Sequence, residues 1–114
     1  MYLNLCQSDI PSFLPISIID NSIIIKKSVA QIKIGLSAID NNIQINILDS
    51  TILGLSFFGF IRSKINSLIM SELKKYKINS YEFKGNIIMS IPKLLFNSVS
   101  INDNSVNFSI TIRL

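Results

Sequence analysis

The stretch that decides the fold is "AQIKIGLSAIDNNIQINI", residues 30–47. Its first half alternates apolar side chains with polar or small ones, and its second half repeats the alternation at Ile43, Ile45 and Ile47. A period of two is typical of a strand with one buried face. Asp40–Asn42, between the halves, contains residues that tolerate left-handed backbone conformations and bond their own backbone. The stretch therefore predicts a β-hairpin.

The rest of the chain carries the same signal in several places. Residues 99–101 and 106–112 alternate on either side of Asp103, which predicts a second hairpin. Residues 81–91 keep apolar side chains at odd positions and predict one strand ended by Pro92. Ile23–Ile25 follows another Asp-Asn pair and predicts a further strand. The 24 isoleucines of the chain favour strands generally, because isoleucine is β-branched.

Between these regions the spacing is that of a helix. The pattern predicts an amphipathic helix over residues 56–77, with Ser56 as N-cap. At ~100° per residue, six apolar side chains fall within an arc of about 120°: Phe57, Ile61, Ile65, Leu68, Ile69 and Tyr76. Glu72 and Lys75 project into the same arc near the end of the helix. Either the last turn leaves the core, or these two side chains extend outward along its edge.

The order of elements predicts an α+β fold, with a curved antiparallel sheet of about five or six strands wrapped around one long amphipathic helix. A chain of 114 residues can bury one core, so we expect a single domain over residues 1–114. Within it we expect an irregular N-terminal segment over residues 1–20, strands over 21–50, the helix over 56–77 and strands over 81–114.

Composition argues against catalysis. The chain has no histidine and one cysteine, Cys6, so the commonest general base is missing and neither a zinc site nor a Cys-His pair can be assembled. No phosphate-binding glycine loop and no G-x-S-x-G motif occur. Asp20, Asp40 and Asp103 each adjoin asparagine in an expected turn, where backbone bonding accounts for them. We therefore expect neither enzymatic activity, nor a metal site, nor a cofactor.

The length of the apolar segments and the cysteine content also bear on cellular location. No segment reaches the ~18 consecutive apolar residues of a membrane-spanning helix, and no Lys or Arg precedes the N-terminal apolar run as in a secretory signal. A lone cysteine fits a reducing compartment. We expect a cytoplasmic protein, with peripheral membrane contact left open.

The net charge of +4 is concentrated on the expected helix, because the basic and acidic residues elsewhere cancel. Lysines at a helix C-terminus complement the macrodipole, which is one interpretation of the cluster. Nucleic acid is not an expected partner, because no aromatic side chains interleave with basic ones on an exposed strand face. Lys74, Lys75 and Lys77 are the candidate contacts to an anionic membrane surface.

The segment "ILGLSFFGFI", residues 52–61, adds more apolar surface than one helix face requires. It is either ordinary core, or a surplus that a thin sheet leaves uncovered. An uncovered surplus would meet a second subunit, a lipid-like ligand or a membrane. The candidate ligand-binding residues are Leu53, Leu55, Phe57, Phe58, Phe60, Ile61, Ile65, Leu68, Ile69 and Phe108.

The C-terminal stretch "SIPKLLFNSVSINDNSVNFSITIRL", residues 90–114, runs through a proline, a short apolar phrase, an alternating strand, an Asp-Asn turn and a final alternating strand. This order resembles the ending of tubular lipid-binding (TULIP) domains of the bacterial DUF2993 or LmeA-like type, and the likeness covers about the last 85 residues. The resemblance implies a long helix cradled by a strongly curved sheet, with acyl chains held between them. The chain is shorter than such domains, so one copy would form half a tube. Either a homodimer completes the tube, or the groove is closed and empty.

Two functions follow as expectations. The first is non-enzymatic binding of a lipid-like or other hydrophobic ligand, such as a fatty acyl chain, in a helix–sheet groove, with a membrane surface as a further partner. The alternative is a structural or interaction module whose extra apolar face forms a homodimer or partner interface.

Overall fold

The computed structural model describes residues 1–52, 55–56 and 62–114. Over these residues the chain forms ten strands, one α-helix (α1, Arg62–Lys75) and a short 3₁₀ turn (Gln7–Asp9). The strands are β1 (Tyr2–Cys6), β2 (Ile16–Ile19), β3 (Ser22–Lys27), β4 (Ala30–Ile39), β5 (Asn42–Ile52), β6 (Leu55–Ser56), β7 (Asn79–Phe83), β8 (Asn86–Ser90), β9 (Leu94–Asn102) and β10 (Ser105–Ile112).

The strands form two antiparallel sheets. The larger has the order β2-β3-β4-β5-β8-β7, with β6 paired to β5 beside this path, and the smaller has the order β1-β10-β9. The sheets meet where the Phe96 N–H donates to the Asn41 carbonyl oxygen at 2.9 Å. The fold is therefore mainly antiparallel sheet with one described helix, which is the α+β class that the alternation predicts.

The finer architecture differs from the prediction. The sheets are not strongly curled and α1 has 14 residues, so the expectation of a curved sheet wrapped around a long helix is wrong. Ser56, the predicted N-cap, lies in β6 and pairs with Thr51. Apolar residues in this region fit a period of two as well as a period of 3.6, and short runs of this kind do not distinguish strand from helix.

Two other regions are also more regular than predicted. Residues 1–20, expected to be irregular, contain β1 and β2. Residues 81–91, expected to be one strand, belong instead to the β7–β8 hairpin, because the chain turns at Lys84-Gly85, where both residues have positive φ. Glycine adopts this conformation without steric cost.

Two-residue turns organise both sheets. The turns Asp20-Asn21, Asp40-Asn41 and Lys84-Gly85 have positive φ at both residues, as a type I′ hairpin turn requires. Ser28-Val29 and Asp103-Asn104 also join adjacent strands and have positive φ at their first residue. Aspartate and asparagine accept this conformation more readily than most residues, so the Asp-Asn pairs of the sequence set the hairpin positions.

A bulge interrupts the ladder between β4 and β5. Lys33 pairs with Asp49 and Ile34 with Ile47, which leaves Leu48 without an opposite residue. The Leu48 side chain lies over Gly35, where an added Cβ would be 3.3 Å from Leu48 Cδ1. The extra residue reverses which positions of β5 face inward, and Ser50 is buried as a result.

One hydrophobic cluster joins the two sheets and the helix. The larger sheet contributes mainly isoleucines, the smaller sheet contributes Phe96, Val99, Val106 and Ile110, and α1 contributes Ile65. Phe96 and Phe108 make an edge-to-face contact with centroids 6.1 Å apart. No helix in the described part of the chain is long and apolar enough to cross a bilayer.

The helix ends in a Schellman motif. The Ile78 N–H donates to the Leu73 carbonyl oxygen at 3.1 Å and the Lys77 N–H donates to the Lys74 carbonyl oxygen at 3.0 Å. Lys77 therefore adopts the left-handed conformation, with φ of 60°. Glycine is the usual residue at this position, because a side chain there is strained.

We predict that Lys77→Gly stabilises the protein. Relief of the left-handed strain, about 1–2 kcal/mol, exceeds the extra entropy that glycine loses on folding, about 0.5–1 kcal/mol. The melting temperature should rise by about 2–6 °C. Lys74→Gly is the matched control, since it removes the same charge from the same helix end but lies inside the helix, and it should lower the melting temperature. Equal losses in the two variants would contradict the prediction.

Candidate functional site

The clearest candidate site is a groove of about 470 Å³ between the larger sheet, the helix and the N-terminal residues. We call it the apolar groove, because twelve of its thirteen described lining residues are apolar. The sheet supplies Ile16, Ile18, Ile23, Ile25, Ile34, Leu36 and Ile45, the helix supplies Ile69, and the N-terminal region supplies Leu5, Asp9, Ile10, Pro11 and Leu14.

The floor of the apolar groove follows from strand pairing. Ile23 lies opposite both Ile18 and Ile34, and Leu36 lies opposite Ile45, so each row of side chains faces the same side of the sheet. Ile18 and Ile34 are buried in the core, whereas Ile23 is only partly covered. The groove is therefore the part of the isoleucine face that the described helix and the smaller sheet leave uncovered.

The N-terminal wall is held by the side chain of Gln7. Gln7 Nε2 donates to the Ile16 carbonyl oxygen at 3.2 Å, and Gln7 Oε1 accepts from the Ile18 N–H. The Gln7 N–H also donates to the Asn104 carbonyl oxygen at 3.3 Å, which ties the same residue to the β9–β10 turn. One glutamine thus covers the edge of β2 and fixes the start of the wall that contains Ile10 and Leu14.

Asp9 is the single charged residue among those that line the groove. Its Oδ2 accepts a hydrogen bond from the Cys6 N–H at 2.8 Å. The carboxylate therefore serves the 3₁₀ turn, and it is exposed to water. The remaining lining, among the described residues, has no side chain that could recognise a polar ligand through charge or hydrogen bonding.

The helix wall depends on Asn66. This side chain is fully buried, and its Nδ2 donates to Glu82 Oε1 at 2.8 Å and to the Gly85 carbonyl oxygen at 2.9 Å. Both partners are acceptors, so the amide nitrogen must face them, and Oδ1 is left without a hydrogen bond among the described residues. Asn66 attaches α1 to the β7–β8 hairpin and so positions Ile69, one turn later, over the groove.

This attachment rotates the helix relative to the prediction. The buried or half-buried positions of α1 are 65, 66, 69, 70 and 73, whereas Leu68 and Tyr76 are 68% and 74% exposed. At ~100° per residue, the observed face lies roughly a quarter turn from the predicted arc. Glu72 and Lys75 form an exposed ion pair at 2.9 Å. They lie outside the observed buried face, so neither of the two interpretations of their position applies.

The predicted ligand-binding residues are largely elsewhere. Among the predicted residues whose side chains the structure describes, only Ile69 lines the groove; Ile65 is core, Leu68 is exposed, and Phe108 lies in the smaller sheet against Phe96. Leu55 lies in β6, where its backbone pairs with Ile52. The other predicted positions lie outside the described residues: Leu53, Phe57, Phe58, Phe60 and Ile61.

Sequence reasoning missed the groove residues of β2, β3 and the N-terminal region. A usable signal was present in β4, where Ile34 and Leu36 already fell on the face predicted to be buried. The Asp20-Asn21 turn would have extended that face to Ile18 and Ile23 through a further hairpin. Nothing in the local pattern around Ile10 and Leu14 indicates that they cross this face.

The three candidate membrane-contact residues are all exposed at the end of α1. The hydrogen bond and charge of Glu72 raise the pKa of Lys75. Lys77 occupies the C-terminal cap, and Lys74 borders a second, more polar depression with Ser71. The cluster is a solvated surface next to the helix wall of the groove.

Comparison with models of known protein families, with curated proteins and with solved structures found no match. Within the described residues, no group of three or more His, Cys, Asp or Glu side chains is arranged to hold a metal ion.

We predict that Asn66→Asp destabilises the protein more strongly at pH 7 than at pH 4. The new carboxylate would face Glu82 and the Gly85 carbonyl oxygen while buried, so its pKa would be raised above the unfolded value of about 3.9. Stability is therefore lost progressively as the pH rises above about 4. Denaturant titration at several pH values measures this.

Asn66→Ala is the control for that experiment. It loses the same two hydrogen bonds and should cost about 1–3 kcal/mol with the pH dependence of the wild type. A pH-independent loss in Asn66→Asp would show that the introduced carboxylate does not face the acceptors that hold the helix.

Proposed function

We propose that this chain is a non-enzymatic binding domain that holds a lipid-like ligand, an acyl chain, in the apolar groove. The observation that carries the proposal is the lining itself, in which Asp9 is the one residue that is not apolar among those that the structure describes. A volume of about 470 Å³ lies within the range of small-molecule sites.

The shape of the lining residues favours an acyl chain over other apolar ligands. The described walls are almost entirely branched aliphatic side chains, and none of the described lining residues is aromatic. This part of the lining therefore offers no planar ring for stacking and no hydroxyl or amide side chain that could orient a polar group. A flexible hydrocarbon chain needs neither, because burial from water is its whole driving force.

The expected affinity is moderate. Burying about twelve methylenes contributes on the order of 10 kcal/mol, at about 0.8 kcal/mol each. An association cost of about 4 kcal/mol leaves about 6 kcal/mol, which corresponds to a dissociation constant of tens of micromolar. The resemblance of residues 90–114 to tubular lipid-binding domains implies the same ligand class, although this chain lacks the strongly curved sheet and the long helix that the resemblance implies.

Leu14 and Phe13 offer a matched pair for testing this. Both are exposed N-terminal residues, at 40% and 83%, but only Leu14 lines the groove. We predict that Leu14→Asp weakens binding of a fluorescent fatty acid at least about tenfold, since it places a charge against the hydrocarbon. Phe13→Asp should leave binding within about twofold of wild type. Fluorescence titration measures both.

Native mass spectrometry of the protein purified from cells gives a second readout. A bound species with the mass of a lipid or fatty acid should accompany the wild type and be depleted in Leu14→Asp. Absence of any bound lipid, together with no uptake of the fluorescent fatty acid, would refute the proposal. Equal loss in the Leu14 and Phe13 variants would place the binding outside the groove.

We also propose that Lys74, Lys75 and Lys77 bring the groove to an anionic membrane. Their exposed side chains lie at the end of the helix that carries Ile69, and basic residues near an anionic surface contribute about 1 kcal/mol each. Replacing Lys74 and Lys77 with Gln should lower binding to phosphatidylserine-containing vesicles by about tenfold or more. Binding to neutral phosphatidylcholine vesicles serves as the control and should not change.

Unchanged binding of the Lys74→Gln, Lys77→Gln double variant to the anionic vesicles would remove the membrane contact from the proposal. Lys75 is left in place because it already forms an ion pair with Glu72. Ligand uptake from solution is a separate measurement and should be normal in this variant.

A further inference from the structure

The exposed sheet edges of this protein are protected unequally. The edge of β2 is bonded by the Gln7 side chain, and β9 lies against the β4–β5 turn through Phe96 and Asn41. The β7 edge carries the charged residue Glu82. Charges and covering groups of these kinds are how edge strands normally avoid pairing with other chains.

Within the described residues, the edge of β1 is covered only at its end, where the Cys6 N–H donates to Asp9 Oδ2. Among the described strands, β1 pairs with β10 on one side and has no neighbour on the other. Residues 1–8 contain no charged side chain and no proline. Three of its side chains are exposed to an unusual degree for a sheet strand, namely Tyr2 at 86%, Leu3 at 49% and Leu5 at 40%.

The hydrogen-bond pattern shows which backbone groups face outward. Met1 and Ile110 exchange both bonds, with the Ile110 N–H donating to the Met1 carbonyl oxygen at 2.8 Å. Because the pattern alternates along the strand, the backbone N–H and C=O groups of Leu3 and Leu5 also bond β10. The backbone groups of Tyr2, Asn4 and Cys6 point away from β10. The outward Cys6 N–H is occupied by Asp9, so Tyr2 and Asn4 provide the open edge.

We propose that two copies of this chain pair through β1, antiparallel and centred on Leu3. In this register Tyr2 of each copy lies opposite Asn4 of the other, and the outward N–H and C=O groups of both residues are satisfied. An antiparallel pairing of identical strands has a two-fold axis, so the contact closes on itself and forms a dimer.

The side chains fit the same register. Leu3 would face its counterpart across the axis in a non-hydrogen-bonded pair, where opposite side chains approach most closely. The pairing covers the leucine surface that β10 leaves exposed. No like charges meet, because residues 2–5 have no charged side chain and the two Met1 ammonium groups lie at opposite ends of the contact. A second copy is therefore the occupant that this edge suits. Leu5 also lines the apolar groove, so the interface would border it.

A symmetric cross-link tests the register. In Leu3→Cys, Cys6→Ser, mild oxidation should join most of the protein into covalent dimers, since opposed Cα atoms in such a pair are about 4.5 Å apart. The wild type should stay uncross-linked, because Cys6 would not face its counterpart. Val29→Cys, Cys6→Ser is the control, with a cysteine at an exposed turn. Equal cross-linking of the Leu3 and Val29 variants would overturn the proposal.

Sedimentation velocity tests the dimer itself. The wild type should sediment as a dimer at high micromolar concentration, and Leu3→Lys should raise the dissociation constant at least about tenfold, because two lysines would oppose each other. Tyr81→Lys makes the same change at an exposed residue of the β7 edge and should remain dimeric. A monomeric wild type, or a dimeric Leu3→Lys, would overturn the proposal. If Leu3→Lys fails to fold by circular dichroism, the cross-linking result decides.

Discussion

The register between β4 and β5 is the constraint on which the rest of the structure depends. These are the two longest described strands, and their pairing sets Ile34 opposite Ile47 and Leu36 opposite Ile45 on one face of the sheet. A slip of one residue would turn the whole set to the opposite face. The Asp40-Asn41 turn prevents the slip, because two residues with positive φ allow only a tight connection. This register determines which side chains form the floor of the groove, the core and the sheet face that packs against the helix.

The strands could be predicted from sequence where the turn-forming residues and the alternation of apolar and polar side chains indicated the same hairpin. Around Asp40 and Asp103 both signals coincide, and the two hairpins lie where they are predicted. Between Phe83 and Ile87 the apolar residues stay at odd positions through the turn, so the alternation alone predicted one strand. Gly85 marks the hairpin turn that divides it. The helix face was not predictable for a different reason. Hydrophobicity places Asn66 on the outside, whereas two acceptors on the neighbouring hairpin bring it into the core.

The groove could be predicted only in part, because it is assembled from distant pieces of chain. Its floor continues the isoleucine face of β4, but one wall consists of Ile10 and Leu14, whose position depends on hydrogen bonds of Gln7 to β2. A polar side chain that hydrogen-bonds the edge of a strand, as a neighbouring strand would, produces no periodic pattern in the sequence. The predicted ligand-binding residues therefore share only Ile69 with the groove, among those whose side chains the structure describes.

The pairing of β1 with β10 joins segments more than a hundred residues apart, as the bond between Met1 and Ile110 illustrates. During synthesis β1 emerges well before its partner strand. At about 5–20 residues per second, the strand waits roughly 5–20 seconds before β10 exists. Throughout that interval β1, whose side chains are uncharged and include two exposed leucines, has no β10 to pair with. Other nascent chains on the same polysome carry the same unpaired strand. The edge of β1 that β10 will cover thus stays open to pairing with a neighbouring nascent chain until β10 has been synthesised.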